Sequence, residues 1–328
     1  MAFNIIKYSD EWEAKWDKFV MKDSANGTFL QSRKFINYHP QGRFSDASIL
    51  VMQGTNIVAV IPACDTVENG KRCFFSHKGS TFGGIVIEKA KDNISTFEEL
   101  MPLLDSYLKQ EGYKCAYIKN TSDVFTKVSS ELIDYYFFKF GYKVIDELSF
   151  YIDCEGLGDD IIKSWSSGRR RDYKYSLKYG LTFRQLQGDE ELHGFYDILT
   201  KSLARHGTRP VHTIDELKDF RDSRFPEIVD FYGVFLKDRL VAGTMLFYFE
   251  KNVLHTQYLA QSDEYTNLFA MNFLNYNLIK KAKNEGYKKF SFGISTEEHG
   301  KVLNTGLAIF KEGFGTQFCN NRSYYKEY

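Results

Sequence analysis

Six basic side chains crowd one short stretch of the chain: Lys163, Arg169, Arg170, Arg171, Lys174 and Lys178, with Asp172 as the one carboxylate among them. On a continuous helix Arg170, Lys174 and Lys178 recur every four residues and share a face. Such a face can grip phosphate groups of a tRNA, a coenzyme or a nucleotide-linked sugar, although a charge run also serves as plain solvated surface. Arg205 and His206 stand at the end of another helical pattern, where a cation complements the C-terminal dipole whatever else it does. The five cysteines (Cys64, Cys73, Cys115, Cys154, Cys319) form no C-x-x-C pair, and the seven histidines show no H-E-x-x-H spacing. Neither a zinc framework nor a catalytic metal is expected. There is no G-x-S-x-G elbow, Walker A loop or G-x-G-x-x-G fingerprint, and Gly79, Gly83 and Gly84 read as turn and bulge glycines.

The elements that must carry these residues repeat. Ser95-Thr96-Phe97-Glu98 reads as a capping box, and Phe97, Leu100, Met101, Leu104 and Leu108 follow at helical spacing up to a stop at Gly112 and a strand at Tyr113–Ile118. Leu268, Met271, Leu274, Leu278 and Ala282 mark a second helix, with Gly286 as its stop and Tyr287–Phe292 as its strand. The junctions LKQEGYKCAYI and AKNEGYKKFSF nearly superimpose. Upstream of each lies an alternating hairpin, Ala47–Met52 with Ile57–Ala63, and Phe231–Leu236 with Leu240–Phe249. Each half therefore runs helix, antiparallel hairpin, further strand, helix, strand, which points to a duplication. Trp12, Trp16, Phe19 and Val20 predict an opening helix. Ile161, Ile162 and Trp165 predict another, running on through Leu177 to Gly180.

At 328 residues two domains are the expectation, cut at 146/147. Lys plus Arg and Asp plus Glu each number 43, a formal net charge of zero, which excludes a globally cationic nucleic-acid coat and DNA as a partner. The N-terminal residues lack the pattern of a signal peptide, and no window reaches the roughly 18 apolar residues of a membrane span, so a cytoplasmic location is expected.

Three segments carry a family resemblance. The first is SFYIDCEGLGDDIIKSWSSGRRRDYKYSLKYGLTF, the second Arg205-His206-Gly207-Thr208-Arg209-Pro210. The third is Phe292-Gly293-Ile294-Ser295 followed by Gly306 to Gly315, with Phe310-Lys311-Glu312-Gly313-Phe314-Gly315 as its most specific part. Thr28-Phe29-Leu30-Gln31-Ser32 adds a softer match. Together they resemble the FemAB-related branch of the GNAT acyltransferase superfamily. The resemblance implies an α/β (α+β) protein of two tandem GNAT-like domains, residues 1–146 and 147–328, each a mixed, mostly antiparallel sheet flanked by helices.

It further implies transfer of an acyl or aminoacyl group from a thioester or ester to an amine of a small-molecule, glycan or cell-envelope precursor. Amine attack on a carbonyl develops an oxyanion that needs a cation or hydrogen-bond donors. Lys311 occupies the position that the related enzymes use for this, with Phe310 and Ser295 beside it in the motif. Arg205 and His206 match a family element, and His255, Tyr258 and Asn267, on or just after a second-half strand, complete the substrate-binding candidates. Acyl-CoA is the expected co-substrate and charged tRNA the alternative. Two departures bear on that choice: the strand–helix junction AQSDEYTNLFAMN lacks the glycine-rich pyrophosphate loop of CoA-dependent relatives, and no coiled-coil arm is present. Direct transfer without a covalent enzyme intermediate is expected, since Cys319 has no histidine near it in sequence. A non-catalytic binding protein of the same fold and a tRNA-dependent aminoacyltransferase are the other readings.

Overall fold

The computed structural model describes residues 2–128, 130–205 and 207–328. The chain forms two compact units, one of residues 1–147, 298–300 and 320–328, the other of residues 148–297 and 301–319.

In the first unit, β1 (Phe3–Lys7), α1 (Glu13–Lys18), α2 (Arg33–Ile36) and β2 (Ser45–Asp46) precede the hairpin of β3 (Ile49–Gln53) and β4 (Asn56–Ile61). Then come β5 (Cys64–Glu68), β6 (Lys71–Ser76), β7 (Val86–Ile87), α3 (Ile94–Gln110), β8 (Cys115–Lys119) and α4 (Leu132–Lys139), before β9 (Lys143–Asp153) begins. One sheet has the order β1-β3-β4-β7, and β8, β6, β5 and β2 are successive neighbours in another. The predicted hairpin thus forms, but Pro62, which has no N–H to extend a ladder, separates β4 from β5. α3 buries Phe97, Leu100, Met101, Leu104 and Leu108 in the core, each such side chain contributing about 2 kcal/mol.

In the second unit the order is α5 (Ser167–Ser176), β10 (Leu181–Gln185), α6 (Gly188–Ala204), α7 (Ile214–Asp219), β11 (Val229–Leu236), β12 (Arg239–Phe249), β13 (Val253–Gln261) and α8 (Ala270–Asn284). These are followed by β14 (Lys289–Ile294), β15 (Thr296–Glu297), β16 (Val302–Leu303), α9 (Thr305–Glu312) and the start of β17 (Gln317–Glu327), whose residues from 320 onward belong to the first unit. Strands β10 to β14 are consecutive neighbours, with residues 149–153 of β9 antiparallel to β14. α8 buries Leu274, Leu278 and Ala282 among Leu254, Phe290 and Phe292, and Phe195 of α6 lies 5.9 Å from Phe231.

The predicted repeat is present in both units. A parallel pair flanks the crossover helix each time: β6 with β8 around α3, and β13 with β14 around α8. The two E-G-Y-K stops are built alike. Gly112 and Gly286 turn left-handed at φ 82° and 77°. Tyr113 N then donates to Leu108 O at 3.1 Å, as Tyr287 N does to Ala282 O at 2.9 Å.

Several sequence expectations change. Asn93, not Ser95, caps α3: its Oδ1 accepts from Thr96 N at 3.1 Å, and Glu98 instead pairs with Lys139 and Tyr136. The helix predicted from Ile161 through Leu177 is broken. A 3-10 turn covers Ile161–Ser164, Trp165 is extended (φ −73°, ψ 152°), and α5 starts afresh with Ser166 Oγ accepting from Arg169 N at 3.3 Å. A second 3-10 turn, Leu177–Tyr179, follows α5. A cut at 146/147 leaves the C-terminal residues in the second half, whereas residues 320–328 lie in the first unit. There Ser323–Glu327 pairs antiparallel with β8, and Asp134 accepts from Arg322 Nη1 at 3.0 Å and Tyr324 OH at 2.5 Å. The Thr28–Ser32 segment is structural. Gln31 Oε1 accepts from Thr28 N at 2.7 Å, Gln31 Nε2 donates to Gly83 O at 2.9 Å, and Ser32 Oγ caps α2 through Phe35 N.

Candidate active site

β13 and β14 pair in parallel over Val253–His255 and Lys289–Ser291, and each strand runs on past the last pair. β14 is irregular between Ser291 and Gly293 where it meets β9, and Gly293 takes a left-handed φ of 71°. The carbonyls of Gly293 and Ile294, at the far end of β14, receive the side chain of Lys311.

α9 delivers that side chain. Asn304 Oδ1 caps the helix by accepting from Leu307 N at 3.1 Å, and the helix turns Ala308 and Lys311 inward. Phe314 is fully buried behind it, with ring centroids 4.8 Å from Trp165 and 5.6 Å from Phe292. The sharp exit that follows needs Gly315, at φ 75°, because a Cβ there would lie 2.7 Å from Ser164 Oγ and 2.8 Å from Ser164 O.

Lys311 is 4% exposed. Its Nζ donates to Gly293 O at 3.1 Å and Ile294 O at 2.5 Å, and it lies 5.7 Å from the centre of the Phe150 ring. Burial pulls its pKa down to about 7, because the charged form loses hydration. An ammonium has three N–H donors. Two are taken by the carbonyls, and among the described residues the third has no acceptor and remains for an oxygen of a ligand.

His255 belongs to the same neighbourhood: a Cβ on Gly293 would stand 3.1 Å from its Cε1. Its Nδ1 is 3.1 Å from Ser291 Oγ. Burial, and then the nearby Lys311 charge, lower its pKa to about 3, so the imidazole is neutral at physiological pH. Ser295, one residue beyond the Ile294 carbonyl, is buried, and among the described residues its Oγ has no hydrogen-bond partner. Such an atom needs a ligand or water to satisfy it. Phe310 is half-buried, with the Arg169 guanidinium 4.3 Å over its ring.

The remaining candidates stand in separate groups. Tyr258, on β13, contacts His212 Nδ1 through its hydroxyl at 2.8 Å, and burial raises its pKa. Arg205 is exposed at the end of α6 and pairs with Asp263. Asn267 is exposed in the 3-10 stretch Asp263–Leu268 that begins at that aspartate. His206 lies outside the described residues. In the basic run, Lys174 and Lys178 are exposed, but Arg170 is half-buried and donates from Nη1 to Lys163 O at 3.3 Å. Lys178 falls in the 3-10 turn beyond α5, so the continuous helix behind the predicted face is interrupted before its last member.

His212, Phe150 and the Gly293 and Ile294 carbonyls went unread in the sequence. His212 stands just before Thr213-x-x-Glu216, a capping box in the structure, and nothing in that local pattern announces Tyr258. The junction after β13 carries carboxylates that are already paired: Asp263 with Arg205, and Glu264 with Arg239 at 2.8 Å.

Residues 166–301 match the family described as an acetyltransferase (GNAT) domain. No curated protein matches the chain. Among solved structures the chain is similar to FemX, with a TM-score of 0.70 at 15% identity over 99% of this chain and 97% of that one. The L-PGS from Bacillus licheniformis is similar at a TM-score of 0.62 and 14% identity, covering 98% and 92%. A tandem GNAT protein from the clavulanic acid biosynthesis pathway matches at 0.55 and 8% identity, covering 99% and 98%.

Proposed function

We propose that this chain, a FemAB-related protein of tandem GNAT fold, is an N-acyltransferase that moves an acyl or aminoacyl group from a thioester or ester to an amine. The acceptor amine is carried by a small molecule, a glycan or a cell-envelope precursor. One observation carries this reading: the buried Lys311 ammonium, held on two carbonyls of β14 beyond its last pair with β13, with one N–H to spare among the described residues.

The amine nitrogen attacks the carbonyl carbon, and the carbonyl π pair moves onto oxygen. The third N–H of Lys311 donates to that oxyanion. Low local polarity strengthens this contact, and its fixed carbonyl partners spare it reorganisation in the transition state. The intermediate collapses by expelling a thiolate or an alkoxide, and the nitrogen loses its proton to solvent or to the leaving group. Ser295 Oγ, next to the Ile294 carbonyl, is assigned to holding substrate, and the Phe310 ring under Arg169 forms an apolar wall.

An acyl-CoA is the first donor to test, given the GNAT domain match. A second donor class has its own support. The junction at 261–268 has no glycine, and its Asp263 and Glu264 already occupy Arg205 and Arg239, so it lacks the glycine-rich backbone cradle that holds a pyrophosphate, which an aminoacyl ester of tRNA does not need.

Lys311→Ala is expected to lower kcat by about two orders of magnitude, with KM little changed, since one oxyanion donor contributes about 3 kcal/mol. The assay runs purified protein with a panel of acyl-CoAs and aminoacyl-tRNAs against amine acceptors. Full activity in the variant removes Lys311 from the mechanism. No turnover by wild-type protein with any donor favours the ligand-binding reading.

A further inference from the structure

We propose that the outer face and tip of α5 dock the protein on a lipid bilayer rich in anionic phospholipids. The inference concerns a surface on the outside of the second unit and does not depend on the transfer chemistry.

α5 has a buried side and an exposed side. Tyr173 and Ser176 are buried, with Tyr173 stacked on Tyr276 of α8 at 4.3 Å, so the helix is fixed on the unit. Two of its arginines also turn away from solvent: Arg169 lies over Phe310, and Arg170 bonds to the Lys163 carbonyl. What remains outside is Arg171, Lys174 and Tyr175, at i, i+3 and i+4 on α5, with Lys178 in the 3-10 turn just beyond it, all exposed. Asp172, the one carboxylate in residues 163–178, pairs with Arg171 at 3.0 Å.

The tip adds what a soluble surface does without. Tyr175, Leu177 and Tyr179 are 41%, 54% and 40% exposed within five residues, interleaved with Lys174 and Lys178. Lys178 Nζ lies 4.9 Å from the Tyr175 ring. Tyrosine places an apolar ring and a polar hydroxyl at headgroup depth, an exposed leucine enters the acyl boundary, and lysines reach lipid phosphates while their stems stay apolar. The aliphatic Leu177 between two tyrosines favours a bilayer over RNA, whose bases stack on aromatic faces and gain little from a leucine. The chain as a whole has no net charge, so attraction to an anionic surface depends on this local excess. Among the described residues no helix is long and apolar enough to cross a membrane, which makes the contact peripheral.

Cosedimentation of the full-length chain with phosphatidylcholine vesicles, with and without 40 mol% phosphatidylglycerol, tests this. Binding is expected to the anionic vesicles alone at about 0.1 M salt, where charges still act over about 10 Å, and to fall steeply at 0.5 M. K174E with K178E should lower the partition coefficient at least tenfold, and Leu177→Ser severalfold. K237E with K301E, which reverses two exposed lysines elsewhere, should leave it unchanged. Circular dichroism checks that each variant is folded. No binding by wild-type protein overturns the proposal, as does equal loss in the K237E/K301E control. A gel shift with total tRNA that the K174E/K178E pair abolishes, while vesicle binding stays intact, also overturns it in favour of RNA.

Discussion

Lys311 concentrates the chemistry into one titration. In the unfolded chain its amine carries a proton up to about pH 10.4. In the folded unit, burial brings the pKa to about 7, so the cation proposed to stabilise the oxyanion is lost as pH rises through that value. The transfer rate should therefore show an alkaline limb with an apparent pKa near 7, opposed by whatever deprotonation the acceptor amine requires. Lys311→Arg keeps a charge throughout, and the limb should vanish from its residual activity in a pH–rate profile. A limb unmoved in that variant assigns it to another group. Two fixed acceptors distinguish Lys311 from the exposed lysines: the carbonyls of Gly293 and Ile294 hold the nitrogen still, whereas a solvated lysine gives up rotamer freedom each time it makes a contact.

Among the elements, helix ends decide where side chains point. The Ser-x-x-Glu pattern at residues 95–98 was legible, yet Asn93 sits two residues earlier with its Oδ1 on Thr96 N. Asn93→Ala is therefore expected to cost about 1 kcal/mol in urea denaturation, and Ser95→Ala only a few tenths. The reverse ranking restores Ser95 as the cap. At α9 the important end is the exit. Gly315→Ala should cost about 1 to 3 kcal/mol, since a left-handed φ and the 2.7–2.8 Å approach to Ser164 both resist a methyl group. Any lost activity should accompany that loss of stability, because the exit anchors the C-terminal turn of α9, which carries Lys311. An unchanged midpoint removes this packing argument.

For the molecule as a whole, acid is the weak side. His77 in the first unit and His255 in the second are both neutral when folded, burial lowering each to about 3. The unfolded chain takes up a proton at each near pH 6.5. Below that value the unfolded state binds more protons, so stability falls as pH drops from about 6.5 towards 3, by about 1.4 kcal/mol per pH unit for each histidine. Denaturation midpoints at pH 7, 6, 5 and 4 check this. His77→Gln should remove about one proton from the slope, and an identical slope in the variant shows that His77 does not contribute.

Local chemistry determined the repeat. The helical spacing of Leu100, Leu104 and Leu108, the two E-G-Y-K stops and the alternating hairpins depend on contacts within a turn or two, so sequence alone was enough to place them, while the GNAT-like fold was implied by the family resemblance of the second-half motifs. The same locality explains the failures. Asn93 was passed over for a nearer motif, and the break at Trp165 follows from packing on Phe314 and the hydrogen bond from Ser166 N to the Gly313 carbonyl, residues almost 150 positions away. Burial of Lys311 beneath β14, the Tyr258–His212 contact and the return of residues 320–328 to β8 join positions far apart in the chain. Only the tertiary structure could decide them, because a side chain's hydration and partners are properties of the assembled core rather than of its neighbours in sequence.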